Sequence, residues 1–126
     1  MKGVLLDGAH NPASIEALVR NLKKRYGARK RLLIFGTSRD KKSEPMLKTL
    51  GSFFDTVILC RHASPRSQDP ALLALQARPY FKKILLAESS AEAFEFASGL
   101  ANSKALITVT GSFYLIGEAR RILRHA

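Results

Sequence analysis

Several signatures are missing from this 126-residue chain, and each absence removes a class of function. A single cysteine, Cys60, excludes an intramolecular disulfide framework, and its place after Val57-Ile58-Leu59 marks it as a buried, inert thiol. No apolar run approaches the roughly 18 residues that span a membrane, and the amino terminus lacks the apolar core of a signal peptide. A cytoplasmic protein is expected. The Gly-x-x-x-x-Gly-Lys-Ser/Thr spacing of a P-loop is absent, so no turn here cradles a triphosphate in that way. Neither a Gly-x-Gly-x-x-Gly dinucleotide turn nor the Gly-x-Ser-x-Gly elbow of a hydrolase occurs. His10, His62 and His125 are scattered and Cys60 has no second thiol, so no metal site is expected on this chain.

Acidic residues are also scarce, 10 against 21 basic ones, for a net charge of +11. That excess raises the local concentration of anions such as nucleotides, phosphorylated intermediates or nucleic acid. Eleven of the basic residues lie between Arg20 and Lys48. A solvated surface accounts for such charge as readily as a binding face does. A basic module holding nucleic acid or a free phosphate ligand is thus an alternative reading, but nucleic acid is not the expected partner. No recognition helix, RNP pattern or stacking aromatic accompanies the charge, and most of the ten aromatics lie in apolar runs.

What is present is a regular alternation. A hydrophobic fraction of 46% in 126 residues provides for one domain with a genuine core. Short, uniformly apolar runs at Val4 to Leu6, Leu32 to Phe35, Thr56 to Cys60, Ile84 to Ala87 and Ala105 to Val109 read as parallel strands covered on both faces. Helical patterns separate them. Asn11-Pro12 reads as N-cap and first helical position before Ile15, Leu18, Val19 and Leu22, and Gly27 ends that helix. Ser43 precedes a second helix with Met46, Leu47 and Leu50 inward. Asp69-Pro70 opens a third with Leu72, Leu73 and Leu75, Ser89 with Glu92 fits a capping box, and the last helix begins near Ser112. The fold class is α/β, a three-layer α/β/α domain with a mostly parallel sheet of five to six strands. The first strand begins almost at Met1 with nothing before it to cover it. A domain cut from a larger protein is therefore expected.

In such a sheet ligands bind at the turns after the carboxyl ends of the strands. Those turns are Asp7 to Asn11, Gly36 to Lys42, Arg61 to Asp69, Glu88 to Ser90 and Thr110 to Ser112. Asp7 and His10 supply a carboxylate acceptor and an imidazole within one turn, although a lone histidine is as readily structural. Gly111-Ser112 forms a strand-turn-helix junction suited to an anion, or an ordinary N-cap serine. Arg39, Lys41 and Lys42 can reach phosphate or carboxylate oxygens, or simply face water.

Four of these turns carry motifs in a recognisable order. Asp7-Gly8-Ala9-His10-Asn11-Pro12-Ala13-Ser14 resembles the DGAHNP signature of the folylpolyglutamate synthase and dihydrofolate synthase family, within the Mur ligase superfamily. Gly36 through Asp40-Lys41 resembles its G-x-x-x-DK loop, and Pro65-Arg66-Ser67 its PRS segment. Thr110-Gly111-Ser112-Phe113-Tyr114-Leu115-Ile116-Gly117-Glu118-Ala119-Arg120 is similar to TGSLYLVGEAR. Lys42 departs from the second acidic residue found in many members, and Phe113 replaces the usual Leu.

The resemblance implies a Rossmann-like carboxyl-terminal domain, residues 1–126, of an ATP-dependent folate:L-glutamate amide ligase acting through an acyl phosphate. ATP and Mg would be bound mainly by an amino-terminal P-loop domain of the same parent polypeptide, absent from this chain, and the isolated chain would be inactive. Substrates would be L-glutamate and dihydropteroate or a folate. By position, Asp7 matches a contact to the nucleotide ribose, His10 one to nucleotide or glutamate, and Ser112 one to the glutamate carboxylate. Asn11, Asp40, Lys41 and Arg66 match cleft positions without assigned roles, and no residue is assigned a catalytic one.

Overall fold

Burial on both faces decides which runs become central strands. In a computed structural model describing residues 3–26, 31–101 and 105–125, the elements follow strictly in turn. They are β1 (Val4–Leu6), α1 (Pro12–Arg25), β2 (Arg31–Phe35), α2 (Ser43–Gly51), β3 (Thr56–Cys60), α3 (Pro70–Ala77), β4 (Lys83–Ala87), α4 (Ser90–Leu100), β5 (Leu106–Thr110) and α5 (Phe113–Arg124). The five strands form one parallel sheet ordered β1-β5-β2-β3-β4. All five residues of β5 are buried, as are four of five in β2 and in β3. The edge strands β1 and β4 are partly exposed.

Alternate side chains of each strand feed opposite cores. Leu33, Phe35, Val57 and Leu59 pack beneath α1, α2 and α3, against Ile15, Leu22, Met46, Leu50 and Leu73. Leu32, Ile34, Ile58, Cys60, Ile107 and Val109 face α4 and α5 through Ala93, Phe94, Ala97, Leu115 and Ala119. Each fully buried Leu, Ile or Phe contributes about 1.5–3 kcal/mol relative to exposure, and both layers are needed to bury the sheet. The expected three-layer fold is thus observed, with five strands among the described residues.

Local signals set the helix starts. Asn11 caps α1, its Oδ1 accepting from the Ser14 amide at 2.8 Å while the Ser14 hydroxyl accepts from the Asn11 amide at 3.2 Å. Asp69 caps α3 through the Ala71 amide at 2.9 Å. Other details differ from the sequence reading. Ser43 is the first residue of α2, not its cap, because its hydroxyl donates across to Gln76 of α3. Ser89 caps α4 through the Glu92 amide, but the Glu92 carboxylate reaches Glu88 N–H, so the reciprocal half of the box falls one residue early. β5 runs from Leu106 to Thr110, one residue later than expected, because Thr110 completes the ladder opposite Phe35. β2 and β4 each begin one residue earlier, at Arg31 and Lys83. Leu72 and Leu75 of α3 are exposed at 41% and 59%, so only Leu73 of that trio joins the core. Gly27, the expected helix stop, lies outside the described residues.

Candidate functional site

The strand order brings together turns that are distant in sequence. β5 lies between β1 and β2, yet the turns after β1 and β2 lead to helices on one face while the turn after β5 leads to α5 on the other. Reversals of this kind open a crevice at the carboxyl edge of a parallel sheet. A cavity of about 180 Å³ lies there, lined by His10, Ser38, Asp40, Lys41, Arg66 and residues 111–114.

The β1 turn is fastened to β5. Asp7 N–H donates to Val109 O at 3.0 Å, Gly111 N–H to Ala9 O at 2.9 Å, and the Thr110 hydroxyl to the same carbonyl at 3.2 Å. Within the turn, Asp7 Oδ1 accepts from Ala9 N–H at 2.9 Å. His10 Nδ1 is 3.0 Å from Gly8 O. A carbonyl only accepts, so this contact assigns a proton to Nδ1, and in the neutral ring Nε2 keeps its lone pair. The imidazole lies 4.8 Å from the Phe113 ring.

The β5 turn requires glycine. Gly111 has φ +113°, and a Cβ there would lie 2.5 Å from Gly36 O and 2.8 Å from Phe35 Cε1. Gly36 is equally confined, since its Cβ would stand 2.7 Å from Cys60 O. These close approaches let the β2 and β5 turns meet at the cavity floor. Ser112 then caps α5, its Oγ accepting from Tyr114 N–H at 3.1 Å. The hydroxyl proton remains free to be donated, and the start of α5 carries the positive end of the helix dipole.

The opposite wall comes from the β2 and β3 turns, pinned to each other. Arg39 N–H donates to Arg66 O at 2.8 Å, Gln68 N–H to Thr37 O at 2.8 Å, and Ser38 pairs with Ser67 in an isolated antiparallel bridge. This presents Arg66 to Asp40, with the guanidinium 2.9 Å from the carboxylate. Lys41 lines the same cavity and forms no ion pair among the described residues.

Of the residues singled out from sequence, His10, Asp40, Lys41, Arg66 and Ser112 converge on this cavity. Asp7 and Asn11 do not line it. Asp7 is engaged in its own turn and Asn11 in capping α1. Arg39 turns away to donate to Pro65 O at 3.1 Å, and Lys42 occupies the cap position of α2. Sequence reasoning missed the aromatic rim. Phe113 and Tyr114 are 67% and 59% exposed, and the available signal was two aromatics directly after a helix-capping serine. Behind Tyr114 stacks His62, with ring centroids 5.4 Å apart and the planes 14° from parallel. His62 is buried, and its Nδ1 accepts from Ser64 N–H at 3.3 Å. Burial lowers its pKa, opposed by the nearby Glu118 carboxylate and the Thr37 backbone. Cys60 is buried on the same face, and desolvation, aided by Glu118, pushes its thiol up to about 12.

Comparisons with known proteins bear on the family and the fold. The family described as Mur ligase, glutamate ligase domain matches residues 2–113. The dihydrofolate synthase/folylpolyglutamate synthase of Mycobacterium tuberculosis is 30% identical over 94% of this chain and 28% of its own length. The dihydrofolate synthetase of Saccharomyces cerevisiae is 29% identical over 94% of this chain and 30% of its own. Among solved structures, the Mycobacterium tuberculosis folylpolyglutamate synthase complexed with ADP superposes with a TM-score of 0.88 at 30% identity, covering 94% of this chain and 29% of that one. A Thermotoga maritima folylpolyglutamate synthase gives 0.83 at 36% identity, covering 96% and 27%. The chain therefore spans under a third of the length of these relatives.

Proposed function

The chain belongs to the Mur ligase glutamate ligase domain family, and from that premise we propose that it is the glutamate-side domain of an ATP-dependent folate:L-glutamate ligase. The observation that carries this reading is the charge pattern of the cavity. An α-amino diacid brings two carboxylates and one ammonium. Lys41 and the start of α5 at Ser112 supply positive charge for the former, and Asp40, which Arg66 holds through one oxygen at 2.9 Å, offers its second oxygen to the latter.

In this reading the acceptor is dihydropteroate or a folate whose carboxylate has been phosphorylated at the expense of ATP. The glutamate nitrogen attacks the acyl carbon, the carbonyl–oxygen bond to phosphate breaks, inorganic phosphate leaves, and the nitrogen loses a proton as the amide forms. This chain holds the nucleophile. Ser112 Oγ–H and Lys41 bind its carboxylates, and Asp40 orients the nitrogen. His10 Nε2 faces the nucleotide or the incoming glutamate, and the second oxygen of Asp7 is available to a ribose hydroxyl. Phe113 and Tyr114 exclude water from the rim.

The triphosphate and Mg are assigned to a P-loop domain of the same parent polypeptide. Among the described residues no three His, Cys, Asp or Glu side chains group as metal ligands. No helix among the described residues is long and apolar enough to cross a membrane, and a cytoplasmic enzyme fits this reading. The test is ATP-dependent addition of a glutamyl residue to dihydropteroate or folate, followed by mass spectrometry. The full-length polypeptide should ligate and this chain alone should not. Turnover by the chain alone would refute the division of labour, and failure of the full-length protein to use L-glutamate would refute the substrate class.

A further inference from the structure

Arg66 sits on a loop, and a loop residue aligns a ligand only if the loop is held at both ends of the segment that presents it. On its carboxyl-terminal side the loop is pinned to the β2 turn by Arg39 N–H to Arg66 O and Gln68 N–H to Thr37 O. On its amino-terminal side Arg61 pairs with Glu88 at 3.0 Å and His62 stacks on Tyr114, and the backbone just beyond them is held by a carboxylate, Glu118 of α5. One Glu118 oxygen accepts from Ala63 N–H, and the other accepts from the Ser90 hydroxyl at 2.7 Å. Ser90 is buried at the start of α4, so the carboxylate ties the loop to two helices at once. From Ala63 the constraint passes inward through short local bonds. His62 N–H donates to Ser67 Oγ at 3.0 Å, and Ser67 N–H donates to Ser64 O at 3.0 Å.

Glu118 lies on the helix whose first turn carries Ser112 and Tyr114. One rigid element therefore bears both the Ser112 contact and the anchor of the loop that bears Arg66. α5 thus holds the amino-terminal side of the Arg66 loop relative to Ser112, while the β2 turn holds its carboxyl-terminal side. We propose that Glu118 is a positioning residue that sets the Arg66 wall of the cavity at the distance a diacid requires. This rests on the glutamate reading above and adds to it a residue that touches no substrate.

The chemistry distinguishes two variants. Glu118→Gln keeps both links, since its amide oxygen accepts from Ala63 N–H and its amide nitrogen donates to the rotatable Ser90 hydroxyl. Glu118→Ala removes both. In the full-length ligase, Glu118→Ala should raise KM for L-glutamate by about tenfold or more, the scale of one lost hydrogen bond to a charged group. KM for ATP should stay near wild type, the melting temperature should fall by a few degrees because the buried Ser90 hydroxyl loses its acceptor, and Glu118→Gln should restore both KM for glutamate and the melting temperature. Hydrogen–deuterium exchange of the segment 61–68 should accelerate in Glu118→Ala alone. A uniform loss across both KM values would reduce Glu118 to general stability and overturn the proposal. So would equal impairment of Glu118→Gln, or unchanged exchange in Glu118→Ala. A wild-type enzyme that ligates no glutamate would refute the functional reading instead, while the exchange measurement would still decide whether the clamp exists.

Discussion

Replacing Gly111 by alanine tests whether the cavity floor is as tightly built as its geometry requires. The backbone at φ +113° disfavours any L side chain, at a cost of about 1–3 kcal/mol. The new Cβ would also lie 2.5 Å from the Gly36 carbonyl and 2.8 Å from buried Phe35. Neither neighbour yields easily, because Gly36 is backbone next to β3 and Phe35 is fully enclosed. Overpacking of that kind adds about 1–3 kcal/mol. The sum, about 2–6 kcal/mol, is a large part of the ~5–15 kcal/mol stability of a domain. For a domain of this size, at about 4 °C per kcal/mol, it corresponds to a drop in melting temperature of about 8–24 °C. Gly117→Ala is the matched control. Gly117 is inside α5 with nothing within 4 Å of its would-be Cβ, so alanine should stabilise by about 0.5–1 kcal/mol and raise the melting temperature by a few degrees. Thermal unfolding followed by circular dichroism reads both. Gly111→Ala melting at or above the wild-type temperature would refute the argument from close approach, and Gly117→Ala melting well below it would refute the argument from open space.

Lys41→Ala removes a cavity cation with no ion pair among the described residues, so the melting temperature should hold while KM for L-glutamate in the full-length ligase rises about 10- to 100-fold. Cys60 should resist alkylation at pH 8 in the folded chain and react fully in denaturant. Its folded thiol is pushed up to about 12 from 9.0, so the fold binds a proton that the unfolded chain releases. Stability should be intact below pH 9 and fall by up to about 1.4 kcal/mol per pH unit between 9 and 12, a slope that Cys60→Ala should lack. His62 has the opposite sign. Burial holds its pKa below 6.5, so its neutral form is fully compatible with the fold above that pH, and stability should decline as pH falls below 6.5. Urea titrations across that range should show the decline in wild type and a reduced one in His62→Phe.

The alternation of strands and helices was legible because each strand here is buried on both faces and each helix presents an apolar stripe. Caps were legible where the acceptor serves its own first turn, as at Asn11, Asp69 and Ser112. Ser43 marked the start of α2, but that its hydroxyl goes to Gln76, 33 residues away, was not legible. The site was legible at the level of turns and not of side chains. Arg39 and Lys41 are equivalent as sequence, yet Pro65 O draws one away while the other lines the cavity. Phe113 read only as a replacement for the usual Leu, whereas its ring is exposed beside His10. Such outcomes depend on which turns the strand order makes neighbours, and no local pattern encodes that order.

The position of β5 has a consequence for synthesis. It is the last strand made and lies between the first two, so β1 and β2 face an empty slot until residues 106–110 leave the ribosome. Until then the amide of Asp7 lacks Val109 O and the carbonyl of Ala9 lacks Gly111 N–H. The strand that completes the sheet is the same strand that supplies Gly111 and Ser112. A chain stopped short of it has neither a closed sheet nor the Ser112 side of the cavity.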